Sequence, residues 1–178
     1  MNRLHPMTLL FVLATTALTA LVSCKPESSS TSAVTPESAT IPDGDGVVFK
    51  DAATYRLFKS YIALKTALVK SDASAAKAAA AGIDSEVPAV TEATKAIAAT
   101  GDLKAQRASF QTLVAALVPI FQQNLAGGRI SIQHCPMAMG GKGADWISES
   151  TAIRNPYYGE SMLECGEVTK SLTAGSIP

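Results

Sequence analysis

Apolar residues recur every three to four positions from Phe49 to Leu125, which is the period of an α-helix that buries one face. The first such stretch runs to Val69 and predicts a long helix, whose apolar face carries Leu57, Tyr61, Leu64 and Leu68. Asp72 or Ser71 is placed to cap a second, short and Ala-rich helix that continues to Ala81.

Two more helices follow at short intervals. Asp84 and Ser85 offer a cap for the third, with Pro88 in its first turn, where a missing N–H costs little. Asp102 is placed to cap the fourth, which Pro119 is expected to bend. This fourth helix is expected to end at Gly127-Gly128, and its buried stripe contains Phe110, Leu113, Val114, Leu117, Ile120, Phe121 and Leu125.

Short connections between amphipathic helices make neighbours antiparallel, so the pattern predicts an up-and-down four-helix bundle. The charged residues of these helices are expected on solvated faces; they include Lys59, Lys65, Lys95 and Arg107.

After the double glycine the pattern changes to the two-residue period of a strand, with Ile130 and Ile132 alternating with polar residues. A second strand is predicted around Val168 to Leu172, and antiparallel pairing of the two would bring Cys165 beside Cys135. The predicted fold is therefore mainly α, a four-helix bundle with a small C-terminal lobe that contains a short β-hairpin.

The amino end has the pattern of an export signal. Arg3 precedes an apolar run from Met7 to Val22, and small residues lead to Cys24. This resembles a bacterial lipoprotein signal, and the resemblance implies that Cys24 becomes the acylated amino terminus. A cleaved secretory peptide or a true membrane anchor is the alternative, although about 16 apolar residues are short for a span of roughly 20.

The signal divides the chain into predicted segments. Residues 1–23 are the signal peptide, 24–46 a lipidated cysteine and disordered Ser/Thr/Pro-rich tether, 47–126 the helical bundle, and 127–178 a Cys/Met/His lobe of the same domain. Lys25 follows the cysteine where lipoproteins kept at the inner membrane typically carry aspartate. The resemblance thus implies a lipoprotein of the outer membrane that faces the periplasm, with export to the cell surface as the alternative.

The side chains that bind soft metals are concentrated near the C-terminus. Apart from the predicted signal and Cys24, every cysteine, histidine and methionine lies between His134 and Cys165. Copper(I) accepts two to four thiolate, thioether or imidazole ligands, so copper(I) or silver(I) fits this set better than zinc, which would need a carboxylate such as Glu164 or Asp145. The candidate ligands are His134, Cys135, Met137, Met139, Met162 and Cys165.

The two cysteines have a second interpretation. In an oxidising envelope two lone cysteines usually pair, so Cys135 and Cys165 are candidates for a structural disulfide as the alternative to thiolate ligation. The histidine and methionines can bind copper(I) beside such a disulfide. A redox role of the two cysteines is a further, weaker hypothesis.

Four ordered motifs resemble a known family of bacterial envelope proteins, domain of unknown function 3347. The motifs are Gln133-His134-Cys135-Pro136-Met137-Ala138, Lys142-Gly143-Ala144-Asp145-Trp146-Ile147-Ser148, Ile153-Arg154-Asn155-Pro156-Tyr157-Tyr158-Gly159 and Met162-Leu163-Glu164-Cys165-Gly166-Glu167-Val168. The resemblance is close over about the last 45 residues and looser over the helices. Members occur as small exported proteins and as C-terminal extensions of periplasmic adaptors of heavy-metal efflux systems.

The resemblance implies metal handling, with an efflux adaptor as partner. The expected function is a membrane-tethered periplasmic protein that binds copper or silver; the alternative is an interaction module that binds no metal and is held by a Cys135–Cys165 disulfide. Without the signal the chain carries 14 basic and 15 acidic residues and no basic stripe, so nucleic acid is not an expected partner. Common catalytic motifs are absent from the sequence, and we expect no enzymatic activity.

Overall fold

The computed structural model of the protein describes residues 46–175. The predicted signal peptide, Cys24 and all but the last residue of the predicted tether lie outside the described residues. Within them no helix is both long enough and apolar enough to cross a bilayer.

Four helices follow in the predicted order: α1 (Ala52–Val69), α2 (Ala73–Ala81), α3 (Pro88–Ala98) and α4 (Leu103–Asn124). The cap predictions at Asp72 and Asp102 are confirmed, because their carboxylates accept hydrogen bonds from the backbone N–H groups of the first turns of α2 and α4. Pro119 lies inside α4 as predicted.

The cap predicted for α3 at Asp84 or Ser85 is wrong. Val87 precedes the first helical residue and makes no side-chain cap, while the Ser85 hydroxyl accepts a hydrogen bond from the Val87 N–H at 3.2 Å. Pro88 opens the helix directly, and its fixed φ and missing N–H suit that position.

The strands form two small antiparallel sheets. One pairs β1 (Val48–Phe49) with β2 (Leu125–Gly127), which follows α4 without a break. The other has the order β4-β3-β5, from β3 (Arg129–Cys135), β4 (Ala144–Ser148) and β5 (Glu167–Thr173). A short helical turn, α5 (Ala138–Gly141), joins β3 to β4, and a 3₁₀ turn (Gly159–Met162) precedes β5.

The predicted pairing of the two C-terminal strands is confirmed: β3 runs antiparallel to β5, with Ile130 opposite Leu172. The predicted hairpin is nevertheless incomplete, because β4 pairs along the other edge of β3. Trp146 and Ile147 therefore belong to a strand, and both are fully buried.

Over residues 46–175 the fold is helix-rich but mixed, with about 52% helix and two small antiparallel sheets, and the predicted four-helix bundle is not confirmed. A series of aromatic contacts connects the helices to the sheet within one core. Phe121 contacts Tyr61 across α4 and α1, Tyr61 stacks on Phe110, and Phe110 contacts Tyr157, which meets Trp146 of β4. Part of the apolar core is therefore supplied by the sheet, whereas in a four-helix bundle it would be supplied by the helices alone.

Two charged residues predicted to be solvated are not. Lys65 is buried, and its ammonium lies 2.6 Å from the carboxylate of Glu149, just after β4. Arg107 is half-buried and donates hydrogen bonds to the carbonyls of Pro156 and Leu68. These partners are distant in the sequence, so helical periodicity alone does not reveal them.

Candidate thiol and metal site

The thiols of Cys135 and Cys165 are in contact, with 2.9 Å between the two Sγ atoms. Cys135 is the last residue of β3, and Cys165 lies two residues before β5. Strand pairing sets His134 opposite Glu167, so the chain that enters β5 passes the end of β3. The predicted proximity of the two cysteines is confirmed.

Gly166 permits this close approach. Its φ is +141°, and a Cβ at this position would lie 2.7 Å from both the His134 carbonyl oxygen and the Trp146 ring. No other residue fits here without displacing backbone or a buried ring, so this glycine allows Cys165 to come beside Cys135.

Asn155 holds the turn that carries Cys165. Its buried side-chain amide donates to the Cys165 carbonyl at 2.8 Å, and its side-chain oxygen accepts from the N–H of Tyr157 at 2.8 Å. The sequence indicated only a turn at Asn155-Pro156; the Asx geometry of an asparagine before proline was the available signal. The bond to a residue ten positions later could not be read from it.

The two thiols differ in exposure. Cys135 is fully buried in the core, while Cys165 is half-buried. The hydrogen bond with Cys135 raises the pKa of the Cys165 thiol, and partial desolvation and the neighbouring sulfur act in the same direction. The Cys165 thiol therefore keeps its proton to a higher pH than an ordinary cysteine does.

His134 lies on the opposite side of the sheet from Cys135. The β3–β4 pairing is regular from Ser131 to Cys135, so successive side chains point to alternate faces. The imidazole Nδ1 lies 2.7 Å from the Asp145 carboxylate on β4, and it is partly exposed. A ligand on the thiol pair would therefore not have His134 as a direct neighbour.

The imidazole is also packed against backbone. Gly143 has φ +78°, and a Cβ there would lie 2.6 Å from the imidazole Cε1 of His134. Asp145 and Gly143 together determine the orientation of the ring, as a carboxylate does for histidines that bind metals.

The three methionines occupy different surroundings. Met137 is 52% exposed, whereas Met139 is partly buried against the core and has a left-handed backbone with φ 53°. Met162 ends the 3₁₀ turn, and its carbonyl accepts a hydrogen bond from the Cys165 N–H at 3.1 Å. Of the predicted ligands, the side chains of Cys135 and Cys165 are in contact. Met162 is linked to Cys165 through its backbone carbonyl.

Within residues 46–175 no three His, Cys, Asp or Glu side chains are grouped so that they could hold a metal ion. The thiol pair is instead the type of two-sulfur donor set that suits a soft monovalent ion. The six-residue ligand set remains a prediction; of its side chains, the structure shows contact between the thiols of Cys135 and Cys165.

A comparison with known protein families finds a match in the helical part of the chain. The model of a protein family of unknown function, DUF3347, matches residues 57–127, which extend from α1 through β2. The match ends before the C-terminal motifs, where the sequence resemblance was closest. No curated protein and no solved structure matches the chain. The resemblance to the DUF3347 family predicted from the sequence is thereby confirmed over residues 57–127.

Proposed function

We propose that this protein is a membrane-tethered envelope protein that binds one copper(I) or silver(I) ion on the paired thiols of Cys135 and Cys165. The observation that supports this function is the 2.9 Å approach of two sulfur atoms from distant parts of the chain. Two thiolates satisfy the minimum coordination of copper(I), whereas a closed zinc site needs four ligands.

The surroundings of the pair suit capture of a soft ion. Cys135 is fully buried at the end of β3, while Cys165 is half-buried and is the more accessible of the two thiols. Met162 lies three residues before Cys165 and is the thioether nearest to it along the chain. It is the natural third ligand.

Binding should release protons. Because the pKa of the Cys165 thiol is raised by its contact with Cys135, copper(I) must displace a proton from Cys165 when it binds at neutral pH. Apparent affinity for the ion is therefore expected to rise with pH.

The second candidate function is that of an interaction module without metal, in which Cys135 and Cys165 form a structural disulfide. The same thiol contact favours it, because these sulfurs need only a small movement to bond in an oxidising compartment. Oxidation removes the thiolate ligands, so the two functions depend on the redox state of one pair of residues.

The proposed location follows from the amino-terminal sequence. Acylation of Cys24 would hold the domain at the outer membrane, facing the periplasm, on a tether that ends near position 46. An efflux adaptor is the proposed recipient or donor of the ion. We propose no catalytic role for the protein.

Copper(I) titration against a competing chelator tests the metal-binding proposal, with native mass spectrometry to count bound ions. The protein used is the chain from position 24 with Cys24→Ser. This substitution prevents acylation and leaves Cys135 and Cys165 as the only cysteines. Reduced protein is expected to bind one ion, and the Cys135→Ala/Cys165→Ala double variant none. His134→Gln is the matched control, because His134 lies on the other face of the sheet.

Each result has a distinct meaning. Loss of the ion on oxidation supports ligation by the two thiolates. Binding that survives in the double variant but disappears in His134→Gln would move the site to the histidine and methionines. If the reduced protein does not compete with the chelator, the metal proposal fails and the interaction module remains.

A further inference from the structure

A recess separate from the thiol pair opens between the start of α4 and the loop after β3. Its volume is about 740 Å³, which lies within the usual range for small-molecule sites. Its principal lining residues are Leu103, Lys104, Arg107, Met139, Tyr157 and Tyr158. Neither cysteine contributes to it.

Tyr157 and Tyr158 both line the recess, and their hydroxyls are already hydrogen-bonded within the protein. The Tyr157 hydroxyl donates to the Asp145 carbonyl at 2.6 Å, and the Tyr158 hydroxyl donates to the Met137 carbonyl at 2.6 Å. With Leu103 and the Met139 thioether beside them, these rings form a largely apolar wall suited to a flat or branched apolar group.

Met139 reaches this wall from a strained backbone. Its φ of 53° is uncommon for a long side chain, and glycines with positive φ follow it at positions 140 and 141. Strained residues in otherwise ordered loops are concentrated at ligand sites, because surrounding contacts must hold them in place. Here the strain places a thioether beside two aromatic rings.

Positive charge lies along one side of the recess. Arg107 is fixed by hydrogen bonds from Nε to the Pro156 carbonyl and from Nη2 to the Leu68 carbonyl and the Ser71 hydroxyl. Those bonds engage Nε and Nη2 and leave the N–H groups of Nη1 as donors for a ligand. Lys104 adds an exposed ammonium in the first turn of α4.

One carboxylate, that of Asp102, also borders the recess and is hydrogen-bonded to the backbone of α4. The two oxygens of Asp102 accept the backbone N–H groups of Lys104 and Ala105 at 3.2 and 3.1 Å, which caps α4. Lys104 and Arg107 carry two positive charges against this one carboxylate, so the net charge of the residues that line the recess is positive.

We propose that this recess binds a small organic anion that has an aromatic or branched apolar body and one carboxylate. The apolar body would lie against Met139, Tyr157 and Tyr158, and the carboxylate would face Lys104 and Arg107. The proposal does not rest on metal binding, since the thiol pair lies outside the recess.

The test uses 2-naphthylacetate as probe, followed by ¹H–¹⁵N correlation NMR of the chain from position 24 with Cys24→Ser. Shift changes are expected in residues 103–107, 139–140 and 157–158, which line the recess, with saturation at one site. Acetate, which lacks the apolar body, and 2-naphthylacetamide, which lacks the charge, are expected to bind at least roughly fivefold more weakly.

Two variants examine the two halves of the recess. Lys104→Glu reverses an exposed charge, and a negative charge at the start of α4 interacts favourably with the helix dipole, so the variant should keep the fold. Probe binding should weaken roughly fivefold. Lys77→Glu changes an exposed lysine of α2 and is the matched control, which should bind the probe as tightly as the parent protein does. Met139→Asn tolerates positive φ while making the wall polar, and it should also weaken binding.

The proposal is overturned if the probe produces no saturable shifts or shifts outside these residues. It is also overturned if the uncharged amide binds as tightly as the acid, or if Lys104→Glu and Lys77→Glu behave alike. Copper(I) affinity measured in the same Lys104→Glu variant should be unchanged, which separates this result from the fate of the metal proposal.

Discussion

Oxidation of Cys135 and Cys165 to a disulfide should stabilise this protein strongly. The two residues are 30 positions apart, and their sulfur atoms already lie 2.9 Å from each other in the folded chain. Closing a loop of about 30 residues lowers the entropy of the unfolded chain by about 12 cal/mol/K, equivalent to roughly 3.5 kcal/mol at 25 °C.

Little of this gain should be lost in the folded state. Cys135 ends β3 and Cys165 lies two residues before β5. Gly166 allows the close backbone approach, and Asn155 donates a hydrogen bond to the Cys165 carbonyl. The bond replaces one weak thiol hydrogen bond, and the two sulfur atoms need only move closer from their present 2.9 Å. We therefore expect the oxidised form to be more stable by about 2 to 4 kcal/mol.

Urea unfolding of reduced and oxidised protein measures this difference. Trp146 is the only tryptophan, is fully buried, and contacts Tyr157, so its fluorescence reports loss of the core. The Cys135→Ala/Cys165→Ala variant should unfold identically under both conditions. A gain below about 1 kcal/mol, beyond extrapolation error, would refute the view that the folded chain preorganises these thiols for bonding.

Three other predictions follow from contacts in the core. Glu149→Gln should lower stability by roughly 2 kcal/mol in thermal unfolding, because it leaves the buried Lys65 ammonium without its 2.6 Å carboxylate partner; an unchanged midpoint would contradict this. Gly143→Ala should cost about 1 to 3 kcal/mol and shift the His134 imidazole resonances, since its Cβ would collide with that ring and its φ is +78°. Burial raises the pKa of Tyr61 well above its usual value, so the folded chain keeps this proton while the unfolded chain loses it near pH 10. Stability should therefore fall above about pH 10, and Tyr61→Phe should flatten that fall in urea titrations.

Local rules predicted the helices well. Aspartates before α2 and α4, a proline at the start of α3 and apolar spacing all act within a few residues, so they are visible in sequence. The same rules misplaced the α3 cap, because Ser85 bonds the N–H of Val87 rather than a helical residue.

The sheets were harder to predict. The sequence indicated β3 and β5 and their pairing, but not β4, because Trp146 and Ile147 are consecutive apolar residues without a clear two-residue period. The two-stranded pair of β1 and β2 was missed as well. Strands of two and three residues have too few positions for a pattern, and their pairing joins chain segments far apart in sequence.

The candidate site shows the same division. Residue type alone pointed to His134, Cys135 and Cys165, because sulfur and imidazole are rare in this chain and their chemistry does not depend on the fold. Which of these side chains lie close together depends on the face of the sheet to which each one points. A strand sends neighbouring side chains to opposite faces, so His134 pairs with Asp145 while Cys135 meets Cys165.

The sequence alone therefore determined the local elements and the chemical types available to a ligand, because both depend on residues close together in the chain. Tertiary structure decided the neighbours: the burial of Lys65 beside Glu149, the anchoring of Arg107, and the contact between two thiols. These partners are 30 to 84 positions apart along the chain. Their meeting depends on how the helices and the sheet pack around one core, which no local pattern encodes.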